Sequence, residues 1–147
     1  MRYLLDTNVL SELVKRRPAL SVRRWVAAQP PLDLAISVLS LGEVEKGIAR
    51  LPASDRRTAL SRWARTELPT QFVGRLLGVD AAVAVAWGGM SAQAADDRRP
   101  LPVLDGLLLA TAQVHDLTFV TRNLSDCAGR GWPPVPVYDP WTGTLDS

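Results

Sequence analysis

The chain has 147 residues, 47% hydrophobic and 22% charged, and a net charge of +2, which is typical of one globular domain and excludes a disordered chain. No apolar stretch reaches the roughly 20 residues of a membrane-spanning helix, and Asp6 comes too early for a signal peptide. We therefore expect a cytoplasmic protein with no membrane association. Cys127 is the only cysteine and His115 the only histidine, which excludes an internal disulfide and argues against a Cys/His zinc site.

Short apolar runs alternate with longer stretches of helical periodicity, which predicts an α/β domain built on a parallel sheet. In chain order the predicted elements are a strand at 2–5, helices at about 8–15 and 22–28, a strand at 34–37, helices at about 40–48 and 54–67, a strand at 76–79, helices at about 80–90 and 104–114, and a strand at 117–121. Residues 135–138 predict a short edge strand, because Pro136 has no N–H to donate to a ladder. We expect residues 1–147 to form a single domain, with a core at about 2–126 and a C-terminal strand and tail to 147.

Four acidic residues stand where a solvated charge is not expected. Asp6 ends the first strand, Glu43 lies in the first turn of the helix after the second strand, and Asp126 follows the fourth strand. Asp105 interrupts an apolar segment. Ligands of parallel α/β sheets bind beyond the carboxyl ends of the strands, so these acids are candidates for one site.

Each acid also has a structural interpretation. Asp6 can cap a helix, Glu43 can form a capping box with Ser40, and Asp105 can complement a helix dipole. Asp126 can be an exposed loop residue. If the acids instead converge in one half-buried pocket, their mutual repulsion favours a bound cation, and oxygen ligands favour Mg²⁺ or Mn²⁺. Such an ion activates water and stabilises charge on a phosphodiester.

Four segments resemble, in order and separation, the motifs of the PIN-domain ribonucleases, and specifically the VapC toxins of type II toxin–antitoxin systems. The segments are Tyr3–Leu13, Ile36–Ile48, Leu101–Ala112 and Leu117–Asp126. The resemblance implies a PIN-like three-layer α/β fold, with a central parallel sheet of four to five strands flanked by helices. It also implies an Mg²⁺- or Mn²⁺-dependent endoribonuclease that acts on RNA, a cognate VapB-like antitoxin that occludes the site, and a homodimer.

The resemblance places the catalytic acids at Asp6, Glu43 and Asp105, and we assign the metal ion to Asp6 and Asp105. The fourth acid is less settled, because some relatives carry an aspartate where this chain has Asn123, and others use the acid three residues later. We favour Asp126 as the catalytic acid, with Asn123 as a polar neighbour in the same site.

Further polar residues are secondary candidates. Thr7 and Asn8 can hold a ligand or a water molecule. Of the 17 basic residues all but two are arginines, whose planar guanidinium binds phosphate in a bidentate manner. Arg98, Arg99 and Arg122 flank the third and fourth motifs and are candidates for RNA contact, although a solvated turn explains Arg98 and Arg99 equally well.

Two other functions fit the same motifs. A catalytically silent PIN-like RNA-binding module is one, although the intact motif acids argue against it, and a nuclease acting on DNA is the other. Trp132 and Trp141 are expected to pack the C-terminal tail onto the domain, and Cys127 is expected to be inert. Gly106 stands where relatives more often have alanine, and we expect this departure to be harmless.

Overall fold

The computed structural model describes residues 1–147, and six strands form its single sheet. The strands are β1 (Tyr3–Leu5), β2 (Leu34–Ser37), β3 (Leu76–Leu77), β4 (Thr118–Val120), β5 (Val137–Asp139) and β6 (Thr144–Asp146). They lie in the order β3-β2-β1-β4-β5-β6. All neighbouring pairs are parallel except β5 and β6, which form an antiparallel hairpin.

Eight α-helices connect and flank the strands. They are α1 (Thr7–Leu13), α2 (Leu20–Ala28), α3 (Val38–Ala49), α4 (Asp55–Arg62), α5 (Leu68–Gln71), α6 (Ala81–Asp96), α7 (Val103–Val114) and α8 (Leu124–Cys127). A π-helical segment at 63–67 joins α4 to α5. Asp80 caps α6 as predicted, its side chain accepting from the Val83 amide at 3.0 Å. No helix has the length and apolar character needed to cross a bilayer.

Both faces of the sheet are buried, which explains why its strands have apolar side chains at successive positions. Leu4 of β1 and Phe119 of β4 pack on one face with residues of α6 and α7. Leu5 and Val120, the next residues along the same strands, pack on the other face with residues of α1 and α2. The three-layer parallel architecture expected from the sequence is confirmed, with six strands rather than four to five.

The expectation that residues 135–138 form an edge strand was wrong. Pro136 precedes β5, where its missing N–H does not interrupt the ladder, and its carbonyl accepts from the Phe119 amide at 2.8 Å. β5 therefore lies inside the sheet, between β4 and β6. The strand β6, which the sequence interpretation missed, returns through a turn in which Gly143 adopts a φ of +77°.

Gly106 permits close packing between α6 and α7. A Cβ atom at this position would lie 2.9 Å from Cδ1 and 3.0 Å from Nε1 of Trp87, and 3.3 Å from Leu101. An alanine would force the indole to move, so the glycine is matched to the large side chain opposite it. The departure from the more frequent alanine thus has a structural reason.

Candidate active site

A polar cavity of about 430 Å³ lies at the carboxyl ends of β1, β2 and β4. Asp6, Thr7 and Asn8 reach it from the junction of β1 and α1, and Glu43 and Asp105 reach it from α3 and α7. The parallel order β2-β1-β4 brings these elements together, because all three strands end at the same edge of the sheet. Three of the four predicted acids therefore share one cavity.

Asp6 is both a helix cap and a site residue. Its Oδ1 accepts from the Thr7 amide and its Oδ2 from the Thr121 hydroxyl, each at 2.7 Å. Burial raises the pKa of this carboxyl to about 6, and the charges of Glu43 and Asp105 raise it as well, against the lowering effect of the two hydrogen bonds. The helix-cap interpretation of Asp6 is thus confirmed, and Asp6 also lines the cavity, whereas its catalytic role stays a prediction.

Thr121, at the end of β4, is the buried residue that connects the strand ends. Besides donating to Asp6, its hydroxyl accepts from Asn8 Nδ2 at 3.2 Å and from the Asn123 amide at 3.1 Å. The sequence interpretation assigned it no role. The available signal was a hydroxyl residue directly after the apolar run of β4, opposite the end of β1.

Asn8 lines the cavity and also has a buried acceptor without a partner. Its Nδ2 donates to Thr121, but its buried Oδ1 has no hydrogen-bond partner. Leaving a buried acceptor unpaired costs about 1–3 kcal/mol.

Glu43 does not form the capping box with Ser40. The N-cap of α3 is Ser37, whose hydroxyl accepts from the Leu39 amide at 3.0 Å, so the helix begins two residues before the predicted start. Glu43 Oε1 instead accepts from the Thr7 hydroxyl at 2.6 Å, across the cavity from α3 to α1. This contact holds the glutamate beside the end of β1.

Asp105 and Asp126 interact through their charges. Asp105 lies in the first turn of α7, where burial and then the charge of Asp126 raise its pKa. Asp126 is exposed on α8 and does not line the cavity, whereas Asn123, just before α8, does. Assignment of the fourth acid to Asp126 stays a prediction.

Cys127 lies behind the acids. Burial, followed by the charges of Asp105, Asp6 and Asp126, raises the pKa of its thiol to about 12. Its thiol is therefore protonated near neutral pH, which agrees with an inert cysteine.

The cavity also contains a group of residues that the sequence interpretation did not select. Glu12 of α1 is 5% exposed, and its Oε1 accepts from Trp141 Nε1 at 3.2 Å and from Lys15 Nζ at 3.3 Å. Asn8 and Glu12 are four residues apart on one face of α1, and Lys15 follows shortly after the helix ends. This helical spacing of polar residues was the signal for Glu12 and Lys15. Nothing local identified Trp141, which is 129 residues away from Glu12 in the chain.

The three candidate arginines lie in different surroundings. Arg122 lines the acidic cavity and its guanidinium carbon lies 5.2 Å from the ring centroid of Trp141. Arg99 lies on the neighbouring surface, with Nη2 donating to the Ser125 carbonyl at 2.6 Å. Arg98 is exposed in the turn after α6, with a φ of +51°, and does not line the acidic cavity.

The donor set fits a hard divalent cation. No three Asp, Glu, His or Cys side chains are grouped closely enough to hold a metal ion by themselves. Mg²⁺ does not require such a group, because it is commonly held by one or two carboxylates and several waters. Asp6 and Asp105, whose carboxyl groups both have raised pKa values, supply oxygen ligands of the required type.

Residues 3–125 match the family model of the PIN domain. The chain belongs to the PIN domain family. Over 138 residues, this PIN domain is 32% identical to VapC ribonuclease Y4jK of Sinorhizobium fredii, covering 94% of this chain and 96% of that protein. Over the same length it is 29% identical to Toxin FitB of Neisseria gonorrhoeae, covering 94% of this chain and 97% of that protein.

Solved structures show the same relationship. The PIN domain superposes on a chain of FitAB bound to an IR36 DNA fragment with a TM-score of 0.84 and 28% identity, covering 95% of each chain. It superposes on DNA-bound VapBC from Salmonella typhimurium with a TM-score of 0.72 and 23% identity, covering 95% of this chain and 98% of that chain. The family predicted from the four sequence motifs is confirmed.

Proposed function

We propose that this PIN domain is a metal-dependent endoribonuclease and the toxin of a VapBC-type toxin–antitoxin pair. The observation that carries the proposal is the meeting of Asp6, Glu43 and Asp105 at one polar cavity. Its relatives include, besides the VapC ribonuclease, the tRNA(fMet)-specific endonuclease VapC of Shigella flexneri, 28% identical over 125 residues, or 84% of this chain and 87% of that protein. These relatives support RNA as the substrate.

Asp6 and Asp105 would hold Mg²⁺ or Mn²⁺. When bound, such an ion lowers the pKa of a coordinated water and stabilises the negative charge that develops on the phosphodiester. Thr121 and the Thr7 amide keep both oxygens of Asp6 in fixed positions.

Glu43 would orient the attacking water and accept its proton. The Thr7 hydroxyl occupies Oε1 of this glutamate, and Oε2 makes no hydrogen bond within the chain. Oε2 is therefore the atom assigned to the water.

Two further residues would complete the site: Asp126 on α8, and Asn123 just before that helix. Asp126 acts on Asp105 through its charge, and Asn123 contributes a neutral amide to the cavity wall. Arg122 and Lys15 supply positive charge at the same cavity, which an acidic site needs in order to admit RNA.

The proposed partners are a VapB-like antitoxin and a second copy of the chain. Similar chains are found in the FitAB and VapBC complexes, which supports an antitoxin partner. In this proposal the antitoxin covers the acidic cavity, and the toxin is a homodimer. Cellular RNA as the substrate places the protein's action in the cytoplasm.

The test is cleavage of total RNA by purified, antitoxin-free protein with Mg²⁺, with Mn²⁺ and with EDTA. Asp6→Asn and Asp105→Asn should abolish discrete cleavage, as should EDTA. Asp96→Asn, at an exposed acid ending α6, is the matched control and should cleave normally. Cleavage that persists in the Asp6 and Asp105 variants would refute the site.

The alternatives give different results in the same experiment. Cleavage of single-stranded DNA but not of RNA would indicate a DNA nuclease. Metal-independent RNA binding by a folded protein that cleaves neither would indicate a silent binding module.

A further inference from the structure

A second groove adjoins the acidic cavity. It has a volume of about 480 Å³ and is lined by residues that include Arg99, Arg122, Ser125 and Gly129; we call it the arginine groove. Arg122 lines both the groove and the acidic cavity, so the two adjoin at this side chain. We propose that the arginine groove binds the RNA backbone next to the scissile phosphate, and that Trp141 is the positioning residue that holds Arg122 ready to clamp it. This inference rests on the proposed function.

Arg122 is oriented but has no polar partner. Its guanidinium carbon lies 5.2 Å from the centroid of the Trp141 ring, within the range of a cation–π contact, and its nitrogens make no hydrogen bond or salt bridge within the chain. The contact with the ring uses none of the N–H donors, so they are available to a ligand. Their planar fork matches two phosphate oxygens, and the neighbouring ring reduces the freedom that binding would otherwise remove.

Trp141 is itself held from three directions. Its Nε1 donates to the buried carboxylate of Glu12 at 3.2 Å, and its amide donates to Asp139 Oδ1 at 2.8 Å. Its ring packs on the hydrophobic cluster that contains residues of α1 and α2. The β5–β6 hairpin, rather than only covering the domain, therefore fixes the orientation of a side chain at the mouth of the cavity.

The groove is predominantly basic. Arg99 donates one N–H to the Ser125 carbonyl, which leaves other donors free, and a Cβ at Gly129 would lie 3.7 Å from Arg99 Nη1. Behind it, the buried guanidinium of Arg130 donates to the carbonyls of Asp126, Arg99 and Pro100 and pairs with no carboxylate. Asp146 is the one acid in the lining. The positive charge favours a polyanion, and the position of the groove next to the acidic cavity favours the strand being cleaved over a separate acidic peptide.

The test is the binding of a labelled single-stranded RNA oligonucleotide in EDTA, measured over a range of salt concentrations, so that no catalysis is required. Arg122→Gln and Arg99→Gln should each weaken binding about threefold to tenfold at low salt and reduce the slope of log K against log salt by about 0.7. Arg62→Gln, an exposed arginine of α4 that lines neither cavity, should bind like the wild type. Arg122→Lys should keep the salt slope but lose affinity, because lysine lacks the planar fork.

A double variant separates positioning from a general structural effect. Trp141→Leu should weaken binding, whereas Trp141→Phe, which keeps an aromatic face, should weaken it less. Combining Trp141→Leu with Arg122→Gln should be no worse than Arg122→Gln alone, since the tryptophan acts through the arginine.

Four results would overturn the inference. Additive losses in the double variant would mean that Trp141 does not act through Arg122. RNA binding that is unchanged in the Arg99 and Arg122 variants, in a protein that does cleave RNA, would refute the groove and leave the proposed function intact. Loss of binding to an acidic peptide but not to RNA would assign the groove to a protein partner, and absence of both RNA binding and RNA cleavage would refute the proposed function too.

Discussion

Replacing Asp6 by asparagine is expected to stabilise the metal-free protein increasingly as the pH rises. The pKa of this carboxyl is 3.8 in an exposed chain and about 6 in the fold, mainly because of burial. The folded state therefore holds the proton more tightly than the unfolded state, and the stability present below pH 3.8 is lost as the pH rises through about 6. The full difference corresponds to about 3 kcal/mol, of which about 2 kcal/mol falls between roughly pH 4.5 and pH 8.

The assay is denaturant unfolding of the wild type and of Asp6→Asn in EDTA, at several values of pH across this interval. Asparagine also changes the hydrogen bonds to Thr7 and Thr121, and this contribution is taken as constant with pH. The informative quantity is therefore how the difference in unfolding free energy between the wild type and Asp6→Asn varies with pH. Asp96→Asn is again the control, and its difference should stay constant to within about 0.5 kcal/mol. If the difference in unfolding free energy between the wild type and Asp6→Asn is also constant across this pH interval, the argument that a buried charge destabilises this site is refuted.

Bound Mg²⁺ should counteract the destabilising effect of the Asp6 charge. At pH 7.5, Mg²⁺ at ten times its dissociation constant should stabilise the wild type by about 1.4 kcal/mol. Asp6→Asn should gain much less, because it lacks one of the two proposed ligands. Equal stabilisation of the two proteins would show that Mg²⁺ binds elsewhere.

Three further substitutions test the packing and the hydrogen bonds around the site. Gly106→Ala should lower the free energy of unfolding by about 1–3 kcal/mol, because the new Cβ would lie 2.9 Å from Trp87 Cδ1, whereas Gly47→Ala in open space on α3 should raise it by about 0.5–1 kcal/mol. Arg130→Met should lower it by about 3 kcal/mol, because three carbonyl groups lose a buried donor. Thr121→Val removes a hydrogen bond that lowers the pKa of the buried carboxylate at the end of β1, so the acidic limb of the pH–cleavage profile should move to higher pH.

Each of these three predictions would be contradicted by a specific result. Equal stability of the two glycine variants would mean that Trp87 moves aside freely. A neutral Arg130→Met would mean that the three carbonyl groups find water. A shift of the acidic limb to lower pH in Thr121→Val would contradict the hydrogen bond as the origin of the effect.

Local patterns were sufficient for most of the elements. The apolar run at 117–121 predicted β4, which covers Thr118–Val120, because a strand buried on both faces needs apolar side chains at successive positions. The apolar segment around Asp105 predicted α7 as a buried helix, and residues such as Leu108 and Leu109 are fully covered. Boundaries were less accurate where a cap competes with its neighbours, as at Ser37, the N-cap of α3, which lies three residues before Ser40.

Contacts between distant segments could not be predicted from local sequence patterns. The loop Asp139-Pro140 followed by Gly143 carries ordinary turn signals, but whether the chain returns as a strand depends on β5 having a free edge. The hydrogen bond from Trp141 to Glu12 joins residues 129 positions apart, and no spacing rule applies at that distance. These contacts place the β5–β6 hairpin at the mouth of the cavity.

The sequence by itself determined the alternation of strands and helices, the four motifs of the family, and the selection of Asp6, Glu43 and Asp105. The alternation follows from periodicity, which is a local property of the chain. The motifs and the three acids were selected by their order and separation along the chain and by the resemblance to the PIN-domain ribonucleases. Only the tertiary structure decided that Glu43 bonds to Thr7 rather than capping its own helix, and that Asn123 rather than Asp126 lines the cavity. The physical reason is the strand order, because placing β1 between β2 and β4 brings side chains from distant segments within hydrogen-bond distance at one edge of the sheet.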